Sequence, residues 1–217
     1  MAAINWDSSG QRFYETGLDK VVLYTYGNPG VPWFGFRSIE ESSSGGEKQP
    51  YYIDGIKYLN ISASEEYTAS ISAIGAPPEF GPCDGTQLLA NGLYVTQQVR
   101  QPFSLSYKSL IGSDTQELGY AYKLHIIYNV LAEPSSRTYG SLQSQPTMDV
   151  QTWSLTSKPI PYPGVKPISH IVIDSRETDL YRLSIIESYL YGSILREPML
   201  LNPGQLVAIL SGEAVDF

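Results

Sequence analysis

Gln101 to Asp114 reads QPFSLSYKSLIGSD, and Gly119 to Val130 follows as GYAYKLHIIYNV. Both runs alternate as strands do, and the second then turns apolar on both sides, so neither face suits open water. Strands this long and this rich in aromatic residues set the expectation for the rest of the chain: a mainly β fold whose walls join copies of itself, with one face to a core and one to an interface.

Working outward, the same strand chemistry recurs. Tyrosine is unusually common at 17 copies, and 19 Gly and 15 Pro punctuate the 217 residues at short intervals. That mixture favours strands joined by turns. Lys20–Tyr26 (KVVLYTY) is a strong strand, closed by Gly27-Asn28-Pro29-Gly30. Further strands are expected at Val31–Ile39, Gly55–Ser62, Glu65–Ile74, Phe103–Leu110, Tyr120–Leu131, Val150–Thr156 and Ile168–Ile173. Many short strands argue for a β-sandwich or open barrel.

One segment changes period. Leu180, Leu183, Ile186 and Leu190 recur at helical spacing while Asp179, Arg182 and Glu187 face elsewhere, so Thr178–Tyr191 reads as an amphipathic helix with Gly192 as its left-handed stop. The four apolar positions are its expected core face. Replacing Leu183 should be costly and replacing Arg182 cheap. A single helix beside a sheet covers one open face, which makes the class α+β with β dominant.

Two stretches carry little strand signal. Glu40–Pro50 (EESSSGGEKQP) is almost without apolar content and is expected to be a mobile loop, with Ser42, Ser43, Ser44, Gly45 and Gly46 at its centre. Gly75–Gly85 (GAPPEFGPCDG) reads as a fixed connection anchored by Phe80. The size fits one domain spanning residues 1–217, able to bury roughly 70% of its unfolded surface.

Composition narrows the function classes. Lone Cys83 gives no internal bridge, which fits folding in a reducing cytoplasm. The opening MAAINW has no charged and apolar leader, and no run approaches the roughly 18 apolar residues of a membrane span, so a soluble, unsecreted protein without membrane insertion is expected. A net charge of -8 disfavours wrapping a nucleic-acid backbone.

The search for chemistry finds little. His125 and His170 have no close His or Cys neighbour in sequence, so no metal site and no cofactor are expected. Asp174 follows His170 by four and would share its strand face, yet no G-x-S-x-G elbow supplies a nucleophile, which leaves a hydrolase built on His170 as a third-ranked reading. Phosphate-binding glycine fingerprints are missing. Adjacent Glu65 and Glu66 point to opposite faces of a strand and cannot share a substrate. The aromatics Trp33, Phe34, Phe36, Tyr51, Tyr52 and Tyr58 admit a sugar- or partner-binding platform, and a tyrosine-rich core equally.

The order of segments carries more. The stretches SSGQRFYETGLDKVVLY, PYYIDGIKYLN, EFGPCDGT, RQPFSLSYKSLIGSD, GYAYKLHIIYNVLAEPSSRTYGSL, KPISHIVIDS and LYRLSIIESYLYG follow one another from about Trp6 to Gly192. In that order and spacing the chain resembles the major tail proteins, or tail tube proteins, of long non-contractile-tailed phages, especially those of actinobacteria. The resemblance implies a β-sandwich subunit with a flanking helix, forming hexameric rings stacked into a tube that conducts DNA into the host. It also implies no catalysis, assembly with itself, with a tape measure protein and with tail terminator and distal tail proteins, and residence in the virion tail after synthesis in the host cytoplasm. Past Gly192, the segment at about 193–217 is an extension that the resemblance does not explain.

Within that frame, alternation nominates Glu66, Thr68, Ser70 and Ser72 of one strand and Thr152, Ser154 and Thr156 of another as lumen-facing, with Tyr67, Ala69, Ile71, Trp153 and Leu155 turned to the core. Ser42 to Gly46 would reach the adjacent ring. The reading from a different class is a carbohydrate- or receptor-binding β-sandwich of a phage tail.

Overall fold

The computed structural model describes residues 6, 8–62, 65–137, 139–141 and 148–213. In chain order the strands are β1 (Phe13–Thr25), β2 (Val31–Pro32), β3 (Phe36–Gly45), β4 (Lys48–Ile53), β5 (Ile56–Ser62), β6 (Glu65–Ala73), β7 (Gln87–Ala90), β8 (Leu93–Val95), β9 (Phe103–Ser113), β10 (Leu118–Ala132), β11 (Gln151–Ser157) and β12 (His170–Asp174). Helices α1 (Leu180–Leu190) and α2 (Pro203–Ser211) follow. No helix among the described residues is long and apolar enough to cross a membrane.

The main sheet has the order β2-β1-β9-β10-β11-β6-β3, with β12 also paired to β10. Strand β10 is where it divides. One edge of β10 pairs with β9, while its other edge pairs with β12 over Lys123–Ile127 and with β11 over Val130–Ala132. Between these two partners lies Asn129 at φ 47, beside a register shift from Ile127 to Val130. Such a bulge bends a strand and sharpens its twist. The Asn129 N–H is satisfied by Ser104 Oγ at 3.0 Å and its carbonyl by Lys158 N at 2.9 Å, so the bend leaves no orphaned backbone group.

Past that bend, β11, β6 and β3 fold over the central strands and make a β-sandwich. Its core joins Leu23, Leu105 and Ile127 of the central sheet to Ile71, Trp153 and Leu155 of the overlying one, closed by Trp33, Phe80 and Cys83. On the opposite face of the central sheet, Tyr24, Leu124, Ile126 and Tyr128 pack against Leu183, Ile186 and Leu190 of α1 and Leu206 and Ile209 of α2. Each fully buried side chain of this kind contributes about 1.5–3 kcal/mol. The central strands are thus covered twice, which accounts for the burial of nearly every residue of β9 and for the two-sided apolar character of β10.

The fold class expected from sequence is present, a β-sandwich flanked by helix, and several boundaries differ. Val31–Ile39 is broken at Trp33 to Gly35, where Gly35 has φ 78 and Trp33 turns inward. Gln87–Ala90 and Leu93–Val95 form a small hairpin about Asn91-Gly92 that sequence reading leaves out, although Asn-Gly is a strong hairpin signal. The connection Gly75–Gly85 does hold a buried Phe80, in a 3-10 turn at Pro78–Phe80.

The expected loop at Glu40–Pro50 is wrong. Ser42, Ser43, Ser44 and Gly45 belong to β3 and pair with Thr68, Tyr67, Glu66 and Glu65 of β6. Composition misleads here because the backbone ladder and the inward Ile39 and Glu41 hold the strand, while its outward serines bury little. Gly46, at φ 73, makes the turn into β4.

The helix also differs in detail. Leu183, Ile186 and Leu190 are buried as expected, but Leu180 is 69% exposed and Tyr189 takes its place. At 3.6 residues per turn Leu180 lies roughly 110° from the centre of the buried stripe. It also opens the first turn, where Asp179 caps the amides of Tyr181 and Arg182. Gly192 follows with φ 79, and a Cβ there would meet Pro198 Cδ at 2.9 Å, so glycine is required. The segment after it is no appendage. Asn202 and Gln205 form a reciprocal capping box that starts α2, and Leu201, Leu206 and Ile209 complete the second core, so two helices flank the sheet rather than one. Residues 214–217 of the expected extension lie outside the described residues.

Candidate functional site

Polar side chains converge at the end of the sandwich where its apolar core stops. On the inner face of the central sheet, Leu105 and Ile127 are cross-strand partners, followed by Tyr107 with His125 and Ser109 with Lys123. Strand β12 adds His170 opposite Ile127, which makes His170 a diagonal neighbour of His125 on the same face. From the overlying sheet, β3 contributes Glu41 and β6 contributes Tyr67. From the other side β1 contributes Glu15.

The contacts form a chain. Ser109 Oγ donates to Glu15 Oε1 at 2.5 Å and lies 2.9 Å from His125 Nε2. His125 Nδ1 is 3.1 Å from His170 Nε2, and His170 Nδ1 is 3.3 Å from Glu41 Oε2. The Tyr107 hydroxyl donates to Glu41 Oε1, and Lys123 pairs with Glu15 Oε2. The rings stack, Tyr107 on His125 with centroids 4.5 Å apart and His125 on His170 at 5.3 Å, with Tyr67 tilted against His170. The Tyr67 hydroxyl is buried with no hydrogen-bond partner among the described residues.

Burial dominates the electrostatics. It pushes His125 down to about 4, with the neighbouring His170 ring acting in the same direction, and lowers His170 as well, so both imidazoles are neutral near pH 7. Burial also raises the hydroxyl pKa of Tyr107 and Tyr67, reinforced by the Glu41 carboxylate. At Glu15 burial opposes ionisation, but hydrogen bonds from Lys123 and Ser109 outweigh it and hold the carboxyl below its ordinary value. An open cleft of about 420 Å³, lined by Glu15, Arg37, Glu41, Tyr107, Ser109 and His125 among others, leads to the cluster.

Sequence reading treats the two histidines separately because no spacing joins them. The sheet register joins them nonetheless, and Glu41, His125 and His170 each offer a ligand atom, all within 4.8 Å of one another. The signal that could have found this is strand parity: with β12 antiparallel to β10, His125 and His170 fall on one face. Asp174, which sequence spacing pairs with His170, is held instead by the Arg176 guanidinium, with Nη2 at 2.6 Å. Ser109 does touch His125, but it is buried and its proton is committed to Glu15.

The residues nominated for a lumen lie together on the outer face of β6 and β11, which β3 extends. Register aligns Ser38, Ser72 and Thr152 in one row, Glu40, Ser70 and Ser154 in the next, and Ser42, Thr68 and Thr156 in the third, with Ser44 beside Glu66 at the end. Their neighbours Ala69, Ile71, Trp153 and Leu155 are buried in the core. None of these outward positions carries Lys or Arg.

Beyond β3, β4 and β5 form a separate two-stranded hairpin. Its Tyr51, Tyr52, Ile53, Ile56, Tyr58 and Ile61 are each at least half exposed. The six aromatics that admit a binding platform do not share a surface. Trp33 is in the core, donating Nε1–H to the Gly75 carbonyl at 2.7 Å, with Phe36 packed edge-on against it, while Tyr51, Tyr52 and Tyr58 lie on the hairpin.

No protein-family model matches the chain, and no curated protein matches it. Among solved structures it is similar to a chain of the anti-feeding prophage baseplate, determined by cryo-EM with six-fold symmetrisation, at TM-score 0.37 and 9% identity over 78% of this chain and 97% of that one. It is similar to a chain of an extracellular contractile injection system in its extended sheath-tube complex, at TM-score 0.35 and 13% identity over 74% and 93%. A sheath/tube terminator structure of that system gives TM-score 0.28 and 14% identity over 79% and 99%.

Proposed function

We propose that the chain is a structural subunit of a phage tail, polymerising as stacked hexameric rings into a tube through which DNA is ejected. The carrying observation is the β4–β5 hairpin. A two-stranded hairpin is marginally stable at best in water, and this one exposes tyrosines and isoleucines that a monomer leaves uncovered. Neighbouring copies, in the ring and in the stack, cover them.

Other features agree with this reading. The main sheet ends in β2 on one side and β3 on the other, and open edges of this kind invite pairing with another copy. The Ser, Thr and Glu face of β3, β6 and β11 suits a channel wall, because it carries no Lys or Arg to grip a sliding phosphate backbone. The ordered segments that resemble tail tube proteins give the reading its specificity. On it, the partners are other copies, a tape measure protein and the terminator and distal proteins of the tail, and no catalysis is required.

The test is the assembly state of the full chain. At high concentration, or seeded with tail components, sedimentation and negative-stain microscopy should give rings or tubes. The double change Tyr58→Ser, Ile61→Ser should leave a folded monomer that no longer assembles. A wild-type chain that stays monomeric under both conditions contradicts the proposal.

A further inference from the structure

At the end of the sandwich, Glu41, His125 and His170 bring three ligand atoms within 4.8 Å of one another. Ser109 gives its proton to Glu15, so Ser109 Oγ must accept from His125 Nε2–H. The Nδ1 of that ring is then a bare lone pair, 3.1 Å from His170 Nε2. A neutral His170 has a single N–H for two demands. Placed on Nδ1 it satisfies Glu41 and leaves two nitrogen lone pairs facing each other; placed on Nε2 it satisfies His125 and sets a lone pair 3.3 Å from the Glu41 carboxylate. Either neutral tautomer leaves one repulsive contact, which a proton on the ring or a metal ion between the rings relieves.

Lys123 pairs with Glu15, whereas Glu41 has no Lys or Arg in an ion pair among the described residues. The site sets two carboxylates against the Lys123 ammonium, with Arg37 on the wall of the same cleft, so it carries no net positive charge to repel a cation.

We propose that Glu41, His125 and His170 bind a divalent transition-metal ion of the zinc type, which clips β3 of the overlying sheet to β10 and β12 of the central one. Two imidazole nitrogens with one carboxylate oxygen suit borderline ions such as Zn²⁺ or Co²⁺ and not Mg²⁺ or Ca²⁺, which take oxygen. The two nitrogens already stand 3.1 Å apart, near the roughly 3.3 Å that separates two ligands on a tetrahedral zinc. The supporting shell is in place: His125 turns Nε2–H to Ser109 and Glu15, the arrangement that fixes the tautomer and orientation of a metal-bound imidazole. This inference goes beyond the tube reading and does not depend on it.

The experiment uses the full chain without a histidine tag, stripped with chelator and titrated with CoCl₂ and then ZnCl₂ near pH 7.5. One equivalent of Co²⁺ should bind with visible absorption bands, Zn²⁺ should displace it, and Zn²⁺ should raise the melting temperature. His170→Gln and Glu41→Gln, both at partly buried side chains and checked for folding by circular dichroism, should abolish the bands and the thermal shift. Ser109→Ala should weaken binding by roughly 10- to 100-fold through the loss of support to His125. Failure of the wild-type chain to bind either ion, or binding that survives His170→Gln and Glu41→Gln, overturns the assignment.

Discussion

Lys108 Nζ lies 2.6 Å from Glu187 Oε1, an ion pair that ties the middle of β9 to α1 across the second core. The ammonium also sits 3.9 Å above the Tyr122 ring, whose hydroxyl donates to the same carboxylate at 2.5 Å. A lysine can therefore occupy a strand covered on both faces, because its charge is paired, hydrogen-bonded and stacked. Sequence reading placed Glu187 away from the core; it is half-buried as the counter-ion of Lys108.

Removing that carboxylate strands a buried ammonium. Glu187→Ala should destabilise the subunit by about 3–5 kcal/mol, measured by urea unfolding. A loss below 1 kcal/mol would mean that Lys108 reaches water without its partner.

The helix face gives a second, graded expectation. Leu183→Ala should cost about 2–5 kcal/mol, and Leu180→Ala less than about 0.5 kcal/mol, since Leu180 is exposed. Arg182→Ala should no longer be cheap: its Nη1 donates to the Leu210 and Ile209 carbonyls at the end of α2, so its loss should cost about 1 kcal/mol. Equal thermal shifts for the three variants would refute this ordering.

The contrast shows where sequence was informative. Alternation in the stretches 103–110, 120–131 and 150–156 located the central strands and the core face of β11, because burial on a strand has period two. The serine run of β3 escaped, since its pairing comes from backbone groups that composition does not display. The second helix is legible in Asn202-Pro203-Gly204-Gln205, a capping signature. Glu41, His125 and His170 could not be joined from spacing, because their meeting depends on two sheets folding over at Asn129.

Deleting Ser42 to Gly46 would now remove the four paired residues at the end of β3 and the turn after them, rather than a spare loop. It should lower the melting temperature of the isolated subunit. The hairpin change Tyr58→Ser, Ile61→Ser should not, which separates folding from assembly in one calorimetric comparison.

Cys83 is fully buried, and burial, aided by nearby Asp84, pushes its thiol up to about 12. At pH 8 the native chain should be inert to a thiol-specific reagent and should react with one equivalent once unfolded. Rapid native labelling would mean that the sandwich end near Phe80 opens.

On the tube reading, Glu66→Lys introduces a cation into the hydroxyl-rich face. Tubes should still form, and DNA ejection from particles carrying the variant should slow, with the delay shrinking as salt rises. An unchanged ejection rate at low salt would place Glu66 away from the DNA path.

The central claim is tested most directly by a cryo-EM reconstruction of the assembled chain. The account predicts a tube of stacked six-subunit rings, with the β4–β5 hairpin buried between copies and Glu66, Ser70 and Ser154 facing the channel. A polymer with that face on its outer surface and the hairpin still exposed to solvent would contradict it.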